Sequence, residues 1–133
     1  MPLEFYPPPG TILLCDYQPG FKVPEMTKRR PVVVISPRFR GRGQLCTVVP
    51  LSTTPPRPVR PYHCEIEVEL APPYLAATSW VKADMIATVG FHRLRPLHMG
   101  KDQYGKRKHV YPRVEENDLA QIRECVLAAL GLR

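Results

Sequence analysis

Arg29 and Arg30 stand directly ahead of Pro31 and the β-branched block Val32-Val33-Val34-Ile35-Ser36. Proline fixes φ and lacks an N–H, so it is tolerated at the first position of a strand. The apolar block after it reads as a strand buried on both faces. Two guanidinium groups are then held at the rim of a rigid sheet. A planar, permanently charged donor fork in a fixed place suits phosphate recognition. The plainer reading is a surface arginine pair before a core strand, since a fold element does not by itself imply a function. Two more basic segments stand out. One is the turn Arg38-Phe39-Arg40-Gly41-Arg42-Gly43. The other is Lys106-Arg107-Lys108-His109, flanked by Tyr104 and Tyr111. Charge interleaved with aromatic rings suits single-stranded nucleic acid, by phosphate pairing and base stacking. A solvated charge run is the competing reading.

The elements that must hold these groups are short and punctuated by proline. Thr11–Tyr17 reads as a first strand opened by Gly10, and Gln18–Arg30 as a long loop. Val32–Ser36 and Leu45–Leu51 read as the next two strands. In His63–Leu70, Cys64, Ile66, Val68 and Leu70 alternate with His63, Glu65, Glu67 and Glu69. That period of two predicts one buried face and one wet face. Thr78–Met85 reads as a fifth strand, with a short sixth reaching Val89. Residues 96–113 lack useful periodicity and read as a loop or β-excursion. A helix is expected over about 115–131, with Glu115 and Glu116 at its N-terminus. Leu119, Ile122, Val126, Ala129 and Leu130 form its apolar stripe, and Gly131 its stop. Five or six short strands with a closing helix predict a mainly β, α+β fold, a small antiparallel barrel. With 133 residues and no dividing linker, one domain is expected, its core over about 9–94.

Composition narrows the function classes. The formal net charge of +7 favours a polyanionic partner, either nucleic acid or an acidic protein segment. No apolar run is long enough to span a bilayer. Met1-Pro2-Leu3-Glu4-Phe5 lacks the features of a secretory signal, so a cytoplasmic protein is expected. Cys15, Cys46, Cys64 and Cys125 lie in apolar segments without a C-x-x-C pair, and read as buried free thiols. A zinc site using His63 and Cys64 lacks the usual ligand spacing.

Taken in order, Gly10-Thr11-Ile12, Glu25, Arg30-Pro31-Val32-Val33-Val34-Ile35-Ser36, Val48-Val49-Pro50-Leu51-Ser52-Thr53 and Ala83-Asp84 resemble the MazF/PemK toxins of type II toxin–antitoxin systems. The resemblance covers roughly residues 9–94 and the last helix. It implies an SH3-like barrel that forms a homodimer. It also implies a metal-independent, cofactor-free, sequence-selective endoribonuclease that cuts single-stranded mRNA. A cognate antitoxin with an acidic tail would silence it, lying across the Gln18–Arg30 loop and its Lys22, Lys28, Arg29 and Arg30.

Metal-free RNA cleavage uses the 2′-OH as nucleophile on the adjacent phosphate. It needs a proton acceptor, a proton donor and positive charge at the phosphorane-like transition state. By resemblance, Arg30 stabilises that charge and the Ser52 hydroxyl bonds the scissile phosphate. The plainer role of Ser52 is to satisfy the backbone near a strand end. Lys82 and Asp84, at i and i+2 on the expected fifth strand, project from one face. They match an Arg-x-Asp assigned acid/base work in one branch of the family. Lysine keeps the charge there and loses the bidentate fork. Asp84 reads as the base or as an orienter of Arg30 or Lys82, and an inconsequential salt bridge between Lys82 and Asp84 is the plainer reading. Glu25, Lys28, Arg29, Thr53, Arg38 and Arg40 are the candidate RNA contacts. No metal ligands are expected.

The chain also departs from the family pattern. Met85 and Ala87 stand where many members carry glutamine and a basic residue. That departure keeps two alternatives open: a same-fold toxin acting on a protein such as gyrase, and a non-catalytic SH3-like nucleic-acid-binding barrel. Of the four histidines, His92 follows Asp84 closely and is the best acid/base candidate by position.

Overall fold

The computed structural model describes residues 3, 5–68, 78–101, 104–105 and 107–133. Its strands are β1 (Ile12–Cys15), β2 (Arg30–Val34), β3 (Leu45–Ser52), β4 (His63–Glu67), β5 (Thr78–Lys82), β6 (Ala87–Gly90), β7 (Leu94–Arg95), β8 (Leu97–Lys101) and β9 (Arg107–Val110). Helix α1 (Glu116–Ala129) closes the chain. Seven strands make one antiparallel sheet in the order β4-β5-β3-β2-β1-β7, with β6 also on β3. The small antiparallel β architecture with a closing helix is as expected. Among the described residues the sheet stays open, with β4 at one end and β7 at the other. Strands β8 and β9 pair as a separate ribbon, so the segment after residue 96 is a β-excursion. The expected end of the fourth strand at residues 69–70, and residues 102, 103 and 106 of the polar stretch, lie outside the described residues.

Alternation along the central strands sorts the core into two layers. Ile12, Leu14, Val33, Val49, Leu51, Cys64, Ile66 and Val81 pack under α1, against Leu119, Ile122 and Cys125. Leu13, Cys15, Val32, Val34, Cys46 and Val48 face the other way, against Tyr17, Val89, Phe91 and Leu94. Both faces of β1, β2 and β3 are therefore buried, which is why these strands are unbroken apolar runs.

Strand β3 has to change partners midway, and Pro50 marks the place. On one edge β3 pairs with β2, through Val34↔Val48 to Val32↔Pro50. On the other edge its first half pairs with β6, ending at Val48↔Ala87. Its end pairs with β5, through Leu51↔Val81 and Ser52↔Trp80. Thr47 turns its polar backbone toward β2, accepting from the Ile35 N–H at 2.9 Å. Alternation therefore aims the backbone of Pro50 at the other edge, where it has no N–H to give. The gap falls between β6 and β5.

This gap corrects one expectation. The fifth strand does not run to Met85. In the β3–β5 register Lys82 would oppose Pro50, the ladder stops, and Ala83–Met85 form a 3₁₀ turn. That turn packs on β3 and α1.

Helix α1 begins after Glu115, with Glu116 and Asp118 in its first turn, where carboxylates oppose the helix dipole. It ends in a Schellman arrangement. Gly131 has φ +75°; its N–H donates to Ala128 O at 3.1 Å, and the Leu132 N–H donates to Leu127 O at 2.8 Å. The buried stripe is Leu119, Ile122 and Cys125, with Val126 and Ala129 packed beside it. Leu130 is 58% exposed, because it is the C-cap and has left the helical rotation. Ile122 is fully buried between α1 and the sheet. Its truncation to alanine should cost about 2–5 kcal/mol, read as a lowered urea midpoint with an unchanged slope.

Candidate active site

Pleating brings three of the candidate side chains, Arg30, Ser52 and Lys82, to one face. Val33, Leu51, Cys64 and Val81 point toward α1, so their strand neighbours emerge on the opposite side. Those neighbours are Arg30 on β2, Ser52 on β3, His63 on β4, and Trp80 and Lys82 on β5. Ser52 pairs with Trp80, and His63 with Lys82. Extending the β2–β3 register by two residues sets Arg30 opposite Ser52. Asp84 follows on the 3₁₀ turn at the Pro50 gap.

A cleft of about 510 Å³ opens between that turn and the 18–30 loop. Tyr17, Phe21, Glu25 and Met26 line one wall, and Asp84, Met85, Ile86 and Ala87 the other. Arg30 stands beside it, its Nε donating to Met26 Sδ at 2.9 Å. Its two terminal nitrogens carry no hydrogen bond among the described residues, which leaves the fork for a ligand. The Ser52 Oγ accepts the Thr54 N–H at 3.1 Å. This is the backbone-capping role expected of a hydroxyl there, and it leaves the Ser52 O–H free to donate.

Lys82 and Asp84 form no ion pair. The strand ends at Lys82, so strand alternation no longer relates the two. The basic side chain that meets Asp84 is instead a histidine: His63 Nε2 lies 3.9 Å from Asp84 Oδ1. His63 is tightly held. Its Nδ1 accepts the Arg60 N–H at 3.0 Å, and its own N–H donates to Arg60 O at 2.9 Å. The Tyr62 ring packs edge-on at 4.6 Å. Burial lowers the His63 pKa from its ordinary value; Asp84 opposes that shift, and Lys82 and Arg60 add to it.

The 18–30 loop is shaped by a second cluster. Arg93 donates to Asp16 O at 3.3 Å and to Pro19 O at 2.9 Å. Its guanidinium lies 5.0 Å over the Phe21 ring, which packs edge-on against Tyr17. Arg29 pairs with Asp16 at 3.0 Å, and this bond is the first cause of the lowered Asp16 pKa. Arg29 is therefore engaged in holding the loop.

The other candidates are scattered. Glu25 lines the cleft, its Oε1 accepting the Lys22 N–H at 2.9 Å. Lys28 and Thr53 are exposed and do not line it. Arg38 and Arg40 sit on a separate turn around a hollow of about 430 Å³, lined by residues 38–43 alone. His92 is exposed, its ring folded against Gly90, and it does not line the cleft. His63 and Cys64 face opposite sides of β4, which separates the two ligands of the zinc reading. Burial pushes the Cys64 thiol up to about 12.

Two residues of the site escape the sequence reading. His63 opens the wet face of the alternating strand, and nothing in that pattern says this face continues the Arg30 face. Tyr17 is fully buried, its side chain against Cys15. Its only signal is a polar-tipped aromatic ending an apolar strand.

Residues 8–130 match the family of PemK-like, MazF-like toxins of type II toxin–antitoxin systems. An uncharacterised protein of Haemophilus influenzae is 29% identical over 94% of this chain and 90% of its own length. The fold is similar to that of MazF from Deinococcus radiodurans, with TM-score 0.62 and 19% identity, over 96% of this chain and 99% of that one. It is also similar to a mycobacterial endoribonuclease solved with its cognate antitoxin, with TM-score 0.60 and 24% identity, over 96% and 98% of the two chains.

The lowered His63 pKa has a consequence for stability. The folded state prefers the neutral ring, so the contribution is complete above the unfolded value of 6.5 and is lost as pH falls below it. The Tm advantage of the wild type over His63→Gln should shrink on acidification from pH 7 to pH 5.

Proposed function

The chain belongs to the PemK-like, MazF-like toxins of type II toxin–antitoxin systems, and we propose that it is a metal-independent endoribonuclease cleaving single-stranded mRNA in the cytoplasm. The observation that carries this reading is the shared sheet face. Arg30, Ser52 and Lys82 emerge on it together, with Asp84 on the turn at its edge. The known structures with this fold include an endoribonuclease.

In this reading the scissile phosphate lies over Arg30 and Ser52. The 2′-oxygen bonds to phosphorus as its proton passes to Asp84. The bond from phosphorus to the 5′-oxygen breaks, and that oxygen takes a proton from Lys82. The products are a 2′,3′-cyclic phosphate and a 5′-hydroxyl. Arg30 supplies fixed charge where negative charge develops. Glu25, Lys28, Thr53, Arg38 and Arg40 contact the flanking strand, with Arg29 contributing from its pair with Asp16. Met85 and Ala87 give the cleft an apolar wall for a base. An acidic antitoxin segment would occupy the cleft beside the 18–30 loop, and two chains would form a twofold dimer.

Three outcomes follow. Arg30→Ala should lower cleavage by about a hundredfold or more, and Arg30→Lys should recover little. Ser52→Ala should cost less, about 1 kcal/mol for one neutral hydrogen bond, with Ser52→Thr tolerated. Cleavage should persist in EDTA and leave cyclic phosphate ends, scored by end-labelling. Cutting that needed a divalent metal, or a folded Arg30→Ala with wild-type rates, would overturn the reading. In light scattering at micromolar concentration the protein should run at twice its chain mass, and a monomer mass would remove the dimer.

A further inference from the structure

The nuclease reading leaves His63 without a task, although it is the most firmly held polar side chain on the site face. We infer that His63 is a positioning residue for Asp84, holding that carboxylate through an Nε2–H donor and keeping its second oxygen turned to the substrate. The inference rests on the nuclease reading.

The geometry fixes the tautomer. A backbone N–H can only donate, so the Arg60 N–H at 3.0 Å requires a lone pair on Nδ1. In the neutral ring the proton is then on Nε2, the atom that faces Asp84 Oδ1 at 3.9 Å. The ring cannot swing away. Its own backbone is tied to Arg60, Tyr62 covers one side, and the side chain is only 8% exposed. Asp84 is 43% exposed and sits on a three-residue turn with no side-chain cap. A rigid donor therefore stands beside a loosely held acceptor, about one ångström beyond hydrogen-bond length. Catalytic hydrogen bonds are often long before substrate binds and tighten on binding. His63 is too enclosed to reach RNA itself, so it acts through Asp84.

The same contacts give a pH signature. The charged groups facing His63 are Asp84 on the 3₁₀ turn, Lys82 across the β4–β5 ladder and Arg60 in the preceding turn. A proton added to Nδ1 breaks the Arg60 bond and sets a full positive charge beside Asp84, which weakens that carboxylate as a base. The acid limb of the cleavage rate should therefore contain a histidine component below pH 6.5.

The test uses the full chain, a short single-stranded RNA and five variants. His63→Leu should lower kcat by about tenfold to a hundredfold, the scale of a misplaced catalytic group, with KM little changed. His63→Gln keeps a donor near the Nε2 position. It should recover much of that loss and shift the acid limb to lower pH. In an Asp84→Asn background, His63→Leu should cost nothing further, since the two act as a unit. A folded His63→Leu with wild-type kcat and an unchanged acid limb would overturn the inference, while Arg30→Ala still abolished cutting and kept the nuclease reading. Failure of the wild type to cut any RNA would overturn both. Should His63→Leu fail to fold, imidazole ¹⁵N shifts of the wild type decide. An Nε2–H tautomer supports the inference, and an Nδ1–H tautomer overturns it.

Discussion

A missing amide proton organises this molecule. Pro50 lies in the central strand of the sheet, where successive residues bond to alternate edges. Its backbone faces an edge to which it has no N–H to give, and neither β5 nor β6 pairs with it there. β6 stops on one side and β5 on the other. The chain crosses the interval in a tight turn, and that turn carries Asp84. Without the gap, β5 would run on, and Asp84 would be one more residue on a regular ladder. With it, a carboxylate is lifted from the sheet plane and set against the loop that leads to Arg30.

The arginines divide their labour around this point. Arg93 spans Asp16, Pro19 and Phe21, and Arg29 closes on Asp16. Both use planar donor groups to shape a loop whose Phe21 and Met26 pack on the core. Arg30, next in the chain, commits only Nε to that scaffold. The surface pair of Arg29 adds little stability alone. Its value is to keep one guanidinium out of the way of the other.

Much of the fold was legible because burial leaves periodic marks. The valine block, the alternation of His63–Glu67 and the helical stripe each follow from one chain segment meeting one environment. The rim position of Arg30 was legible for the same reason, although the strand opens on Arg30 itself, one residue ahead of Pro31. Relations between segments left no such mark. The break at Pro50 needs the register of three strands, which shortens the fifth strand and removes the expected alternation of Lys82 and Asp84. Arg29 and Asp16 are thirteen residues apart, and their pairing depends on the β1–β2 register. His63 was passed over in favour of His92, because nearness in sequence to Asp84 stood in for nearness in space. Leu130 obeys the stripe but sits one residue beyond the rotation that creates it.

Helix α1 has a meaning beyond packing. It packs on the turn that bears Asp84. Arg30, Ser52, His63 and Asp84 lie on four separate elements, so only the folded sheet and its turn bring them together. Loosening α1 against the sheet would therefore move Asp84 before it moved Arg30 or Ser52, which the β-ladders hold.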